Sequence, residues 1–339
     1  FLYLSHKAVH AEFAPAKRHR DSYADKPIIY PPSFRASDQP VRGKRNFGAG
    51  GPDFRVPHLE PNMTESYYGP GRMPDWQKMQ REGWHGVDYM YHGRMDFEEF
   101  FQRYCETLRG VDESIGSVMA YLEAAGLDES TMVIYMGDNG FQFGDHGLID
   151  KRTAYEASAR VPLLLAAKDR IPAGITFDGL VGNIDVASTV LEATGSPPLP
   201  NADGQSIWKP LLQNDPGQLE RKELLYEYYW ERNYPHTPTL HAIIGGRWKY
   251  IRCHGLWDRD ELYDLKNDPD EMHNLIEQPE HAERISAMNR RLWKLLMESD
   301  GSEMPLLEDR GPRFPWRHPG HSRQAPFPKE YFRTSESGD

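Results

Sequence analysis

Two short apolar runs, "TMVIYM" (residues 131–136) and "VPLLLAA" (residues 161–167), bracket the polar stretch "GDNGFQFGDHGLIDKRTAYEASAR". Each run is continuous and β-rich, the pattern of a strand covered on both faces. The first run ends at Gly137-Asp138-Asn139-Gly140, so two oxygen donors sit at the carboxyl end of a buried strand. In open α/β sheets that is where ligands bind. A carboxylate beside an amide carbonyl suits a hard cation such as Ca²⁺ or Mg²⁺, whereas zinc prefers Cys and His. Asp-Asn-Gly is equally an ordinary turn signal. Lys151 follows in the same stretch. Its ammonium only donates, so it shares a cation's neighbourhood only if an anion lies between them. The stretch predicts an anionic substrate clamped by a metal and a lysine.

Strands and helices alternate around this pair. "FLYL" (residues 1–4) is a further apolar run, predicted to be a buried strand that delivers His6, Lys7 and His10 at its end. Phe97, Phe101, Tyr104, Leu108, Val111, Ile115, Val118, Leu122 and Ala125 recur at alternating spacings of four and three, an amphipathic helix closed by Gly126. "NIDVASTVLEATG" predicts another helix, capped by Asn183 and stopped by Gly195. Buried strands alternating with amphipathic helices indicate an α/β fold with a mixed, largely parallel sheet flanked by helices. From about residue 201 the pattern changes. Strands are expected over 223–230, 240–244, 247–253 and 261–265, with Gly245-Gly246 as a two-residue hairpin turn. A helix carrying Ile285, Met288, Leu292 and Leu295 on one face follows. The expectation is a small C-terminal antiparallel sheet plus helix. The division expected is 1–200, with a loop-rich insertion over about 21–93, then 201–300, then an extended tail over 301–339.

Composition excludes some functions. The net charge of −11 disfavours nucleic acid, which calls for clustered Lys and Arg. Two cysteines, Cys105 and Cys253, make no disulfide framework. No apolar run approaches the ~20 residues of a membrane span, and no signal peptide is visible. A chain opening on a buried strand is expected to be the C-terminal part of a longer one.

The stretch "YMGDNGFQFGDHGLIDKRTAYEASARVPLLL" resembles the core signature of the sulfatase family, within the alkaline phosphatase superfamily. That pattern is an Asp-Asn or Asp-His pair after a strand, a Gly, a variable loop, a lysine, and an aromatic-Glu ahead of Arg-Val-Pro. "FLYLSHKAVHAEFAPAKRH" resembles the family's strand bearing an active-site histidine before x-x-Phe. "DGQSIWKPLL" and "RWKYIRCHGLWDRDELYDLKNDPDEMHNL" resemble its C-terminal subdomain. The likeness runs from residue 1 to about 275, with several motifs in order. It implies that Asp138 and Asn139 ligate a divalent cation, usually calcium. It also implies that Lys151 binds the sulfate and that His10 contacts it and protonates the departing alcohol. The wider likeness is to bacterial carbohydrate sulfatases, which implies a glycan sulfate ester as ligand and a periplasmic or extracellular location. In that family the C-terminal subdomain lines the pocket mouth. His236 and His254 then become sugar contacts, Trp257 either stacks on a pyranose or fills the small sheet's core, and Lys7 joins the substrate side. An N-acetylhexosamine 6-sulfate is the substrate it suggests.

The family's nucleophile motif, Cys/Ser-x-Pro/Ala-Ser/Thr-Arg, whose first residue becomes formylglycine, does not occur in these 339 residues. Cys105 opens "CETLR" inside the long predicted helix, and Cys253 opens "CHGLW". The chain alone is therefore expected to be inactive. A phosphate or phosphonate monoester hydrolase of the same superfamily, or a non-catalytic protein binding sulfated glycans, are the alternatives.

Overall fold

The computed structural model describes residues 1–10, 13–33, 76–77, 80, 97–231, 234, 236–254, 260–299, 301, 303–305 and 324–326. The longest element is helix α1 (Phe97–Ala124), which ends where Gly126 adopts φ +65°. A glycine takes that left-handed conformation without the steric cost a Cβ would bring. Of the predicted stripe Phe97 and Val111 are buried and Phe101, Tyr104, Leu108, Ile115, Val118 and Leu122 half-buried, while Ala125 lies exposed past the helix end; Phe100, outside the stripe, is buried as well. The preceding chain lies along the same helix. Tyr30 donates its hydroxyl to Glu98 and stacks on Phe97, Gln102 donates to the carbonyls of Ala24 and Lys26, and Arg18 pairs with Glu113.

Strands β1 (Met132–Met136) and β4 (Leu163–Ala167) form where the two apolar runs predict them, but they pair antiparallel, with Ile134 opposite Leu165. A parallel pair needs a crossover with a substantial helix. The connection here instead folds back through a short hairpin, β2 (Gln142–Phe143) with β3 (Ile149–Asp150), and the single helical turn α2 (Glu156–Ala159). No parallel pair occurs among the described residues. Residues 1–4, expected as a buried strand, are exposed and in no sheet; no described strand offers them a ladder.

Helix α3 (Asp185–Ala193) runs as the pattern predicts and stops before Gly195 at φ +69°. Its start differs from expectation. Asp185 reaches back to accept from the Gly182 N–H, and Asn183 instead donates to the Asp138 carbonyl. Helix α4 (Trp208–Gln213) leads into the C-terminal sheet of β5 (Glu223–Tyr228), β6 (Leu240–Gly245), β7 (Trp248–Cys253) and β8 (Glu261–Asp264). All neighbours are antiparallel, in the order β5-β6-β7-β8. The residues between β6 and β7 are Gly246 and Arg247, one position beyond the Gly245-Gly246 turn expected, because Gly245 still pairs with Glu223.

Both faces of this sheet are covered. Helix α5 (Ala282–Glu298) packs Leu292, Trp293 and Leu296 against Ile243, Tyr250 and Leu262. The opposite face presents Leu240, Ala242, Ile251, Cys253 and Tyr263 to Trp76, Leu148, Ala154 and Tyr155. Most of residues 34–96 and 302–339 lies outside the described residues; Glu303–Pro305 (β9) and Gln324–Pro326 (β10) pair antiparallel. Among the described residues no helix is long and apolar enough to cross a membrane.

Leu292 is fully buried between α5 and the sheet. Leu292→Ala is expected to lower the unfolding free energy by about 2–5 kcal/mol, the range for deleting a buried leucine side chain, measured by urea denaturation.

Candidate active site

The turn after β1 is held on every side. Gly137 donates to the Pro162 carbonyl at 3.3 Å, and the Asn183 amide donates to the Asp138 carbonyl at 3.0 Å. Gly140 donates to the Ser158 carbonyl at 2.8 Å. A Cβ on Gly140 would fall 2.2 Å from the Ala157 carbonyl oxygen and 2.9 Å from those of Ser158 and Arg160, so only glycine lets the turn lie this close to α2. Asp138 is exposed and its Oδ1 accepts the Asn139 N–H at 2.9 Å. The Asn139 amide nitrogen donates to the Gly140 carbonyl at 2.6 Å, which fixes the amide plane. Among the described residues the Asn139 Oδ1 and Asp138 Oδ2 accept no hydrogen bond. Two hard oxygen donors on adjacent residues fit part of a Ca²⁺ or Mg²⁺ shell, which takes six or more oxygens. Among the described residues no three His, Cys, Asp or Glu side chains converge as a metal set.

Phe13, three residues after His10, packs its ring 4.8 Å from Phe100, 6.1 Å from Phe141 and 6.4 Å from Phe143. The aromatic cluster thus ties the His10 segment to the one leaving Gly140. His10 is exposed and its N–H donates to the Lys7 carbonyl; Lys7 is also exposed. His6 Nε2 lies 2.9 Å from the Ser114 hydroxyl.

The β2–β3 hairpin then delivers Lys151. His146 takes φ +56° and is buried with its ring 4.1 Å from that of Tyr155. Burial, with Lys249 nearby, pulls its imidazole down to about 3, so it stays neutral. Lys151 is half-buried. Its neighbours are tightly engaged. Arg152 pairs with Asp150, donates to Glu231 at 3.0 Å, and lies 3.3 Å over the Tyr234 ring. Burial raises the Asp150 carboxyl above its ordinary value despite that guanidinium. Gln142, Asp150, Arg152, Thr153 and Thr237 line a small hollow beside this segment.

Where α2 meets the C-terminal sheet lies a buried charge network. The Lys249 ammonium is fully buried, 2.8 Å from Glu156 Oε1 and 2.7 Å from Glu271 Oε1. Glu271 Oε2 also accepts the Glu156 N–H at 2.6 Å, capping α2 from a distant part of the chain. Tyr155 and Tyr263 both donate to Glu261 Oε2, at 2.7 and 2.6 Å. Burial pushes the Glu261 carboxyl up to about 7, against both hydroxyls.

The remaining candidates are scattered. His236 is half-buried in the loop before β6. His254 directs Nε2 at His241 Nδ1, 2.9 Å away, and packs edge-on against Trp293 beneath α5; burial, then His241 and Arg252, pull it down to about 3. Trp257 lies outside the described residues. Trp248 and Tyr250 pack in the core between sheet and helix. Cys105 sits in the middle of α1, where burial pushes its thiol up, away from nucleophilic use. The sequence reading missed Lys249, Glu261 and Glu271. For Lys249 and Glu261 the available signal was an ionisable side chain inside the strand runs "RWKYIRC" and "ELYDL"; Glu271, in the polar stretch after the last strand, carried none.

The family described as "Sulfatase" matches residues 1–196, and that described as "N-sulphoglucosamine sulphohydrolase, C-terminal" matches residues 144–298. The chain is 30% identical over 247 residues to an N-acetylglucosamine-6-O-sulfatase of Bacteroides thetaiotaomicron, covering 72% of this chain and 42% of the relative. It is 31% identical over 207 residues to the multifunctional alkaline phosphatase superfamily protein PehA of Trinickia caryophylli, covering 57% and 40%. The solved structure of BT4656 in complex with its substrate D-glucosamine-2-N,6-O-disulfate superposes with a TM-score of 0.65 at 23% identity, over 87% of this chain and 64% of that one. That likeness is one of fold. The chain spans about two fifths of the length of these curated relatives.

Gly140→Ala is expected to cost about 3 kcal/mol, at the upper end for overpacking, because the obstacles are backbone oxygens that cannot swing away; a lowered urea midpoint checks it. Glu261 gives a pH signature. Its folded value lies above the ordinary 4.5, so the unfolded carboxyl ionises first as pH rises. The native state therefore loses stability between about pH 4.5 and 7, and the penalty is absent below 4.5. Glu261→Gln, which keeps an acceptor for both tyrosines, is expected to gain stability relative to the parent across that window, measured by urea unfolding at successive pH values.

Proposed function

The chain belongs to the sulfatase family, and from that premise we propose that it supplies the cation- and anion-holding part of a sulfuric ester hydrolase acting on a sulfated carbohydrate. The observation that carries this reading is the single hydrogen bond from Gly140 to Ser158, which braces the Asp138-Asn139 turn against the segment that also presents Lys151. In this reading the Asp138 carboxylate and the Asn139 amide oxygen hold a divalent cation, calcium or magnesium, with donors supplied from beyond these 339 residues. The bound cation supplies positive charge that offsets charge developing on the ester oxygens. Lys151 holds the sulfate through its ammonium and steadies the bridging oxygen as the S–O bond lengthens. His10, in an exposed turn, gives a proton to the departing alcohol. Lys7, His236, His254 and Trp257 are assigned to the organic part of the ester, His254 with its ring held by His241. The nucleophile is a formylglycine, which has to come from outside this sequence.

The name of the Bacteroides relative favours an N-acetylglucosamine 6-sulfate as the ester, and the family resemblance favours a periplasmic or extracellular enzyme. The PehA match keeps a second reading open, hydrolysis of a phosphate or phosphonate monoester by the same clamp.

Turnover separates these readings. The intact protein is expected to release sulfate from N-acetylglucosamine 6-sulfate faster than it releases phosphate from an aryl phosphate. Lys151→Ala is expected to lower kcat/KM about 10²–10³-fold, the scale for losing one charge-stabilising donor. The 339-residue chain alone is expected to turn over nothing. Preference for the phosphate ester would favour the second reading, and full activity of Lys151→Ala would end the first.

A further inference from the structure

The segment from Gly140 to Glu156 contains the proposed anion ligand but carries little regular structure of its own. Helix α2 is one turn long, far too short to persist unaided. Its order comes from two outside attachments. On one side the Ser158 carbonyl accepts the Gly140 N–H at 2.8 Å, and the buried Ser158 hydroxyl accepts the Thr153 N–H at 3.4 Å. On the other side Glu156 is bound twice: its N–H by Glu271 at 2.6 Å, and its carboxylate by Lys249 at 2.8 Å. Lys249 is rooted in β7 and Glu271 follows β8, so both attachments belong to the C-terminal sheet.

A fully buried ammonium is costly unless it is paired, and its pairing with two carboxylates from separate segments is correspondingly hard to displace. Apolar packing of Tyr155 alone would have anchored this loop against the sheet. A charge pair adds direction: the N–H and carboxylate of one residue are gripped together, which fixes the rotation of α2 as well as its depth. The Asp138-Asn139 turn hangs from α2 through Gly140, and Lys151 lies five residues ahead of Glu156.

We propose that Glu156 and Lys249 are positioning residues of the sulfate site: their buried ion pair, shared with Glu271, sets α2 and through it the placement of Lys151 relative to the Asp138-Asn139 turn. The proposal rests on the sulfate reading above. Neither residue touches the ester. The C-terminal sheet acts on the site from behind, through one helical turn.

The test uses the intact protein and inorganic sulfate as probe. Sulfate bound at Lys151 shields its amine from acylation by an activated ester, read by peptide mass spectrometry without any turnover. In Lys249→Met and in Glu156→Gln the sulfate concentration giving half protection is expected to rise about tenfold, the scale for losing a group that orients a ligand. Leu292→Ala loosens the same sheet from its opposite face and is expected to leave half protection unchanged at a comparable loss of melting temperature. Protection at the parental concentration in both site variants, or an equal shift in Leu292→Ala, overturns the positioning role. Where Lys249→Met fails to fold, Glu156→Gln, which keeps a hydrogen-bond acceptor, decides alone. Absence of protection in the unmodified protein removes the sulfate reading and this proposal with it, an outcome distinct from protection that survives in the variants.

Discussion

An ammonium with no access to water, held between two carboxylates, is the constraint on which this architecture depends. Lys249 enters from near the start of a β-strand whose next residues on the same face, Ile251 and Cys253, are apolar. It has no solvent to fall back on, so Glu156 and Glu271 must both arrive. Their arrival forces the chain between the two bracketing strands to fold down onto the C-terminal sheet. Once there, Tyr155 reaches Glu261, Trp76 stacks 6.5 Å from Tyr155, and the apolar remainder closes around them. Hydrophobic burial supplies most of the driving force for such contacts, while the charges select which contact forms.

The turn at the other end of this segment works by shape. Gly140 admits three carbonyl oxygens into the space a side chain would fill, and that close approach lets a backbone hydrogen bond span from the first bracketing strand to α2. Asn139 then spends its amide nitrogen on its own loop, leaving its oxygen turned outward. The Phe13, Phe100, Phe141 and Phe143 rings hold the histidine-bearing segment against the same loop. Shape and aromatic packing hold this turn, and charge holds α2.

Much of this was legible in the sequence, and the legible parts share a reason. The 28-residue helix α1, the four strands of the C-terminal sheet and helix α5 all announce themselves locally, the helices by the period of one apolar face and the strands by short β-rich runs between turn signals. Asp138, Asn139 and Lys151 are proposed as ligands from donor chemistry at a strand end. What failed was non-local. Residues 1–4 are apolar enough for a strand, yet no described ladder receives them. The direction of β4 relative to β1 depends on how the intervening chain returns, which strand composition does not encode. Asn183 has the chemistry of a helix cap, and a more distant carbonyl claims it. The Lys249 network escaped because a lysine in a strand reads as solvent-facing until its partners, separated from it by tens of residues, are known.

The loop from Gly144 to Glu156 precedes the C-terminal sheet in sequence but is built into it in space. The C-terminal family match also opens at residue 144, well before the change in composition near 201. For anyone recombining homologous parts, the seam of this molecule is therefore not where the chain changes character. A chimera spliced near residue 200 would graft a foreign sheet onto an orphaned Tyr155 and Glu156. One spliced just before Gly144 would carry lock and key from the same parent, and would leave the β1–β4 and β2–β3 pairings and the Gly140 contact to be matched between the two.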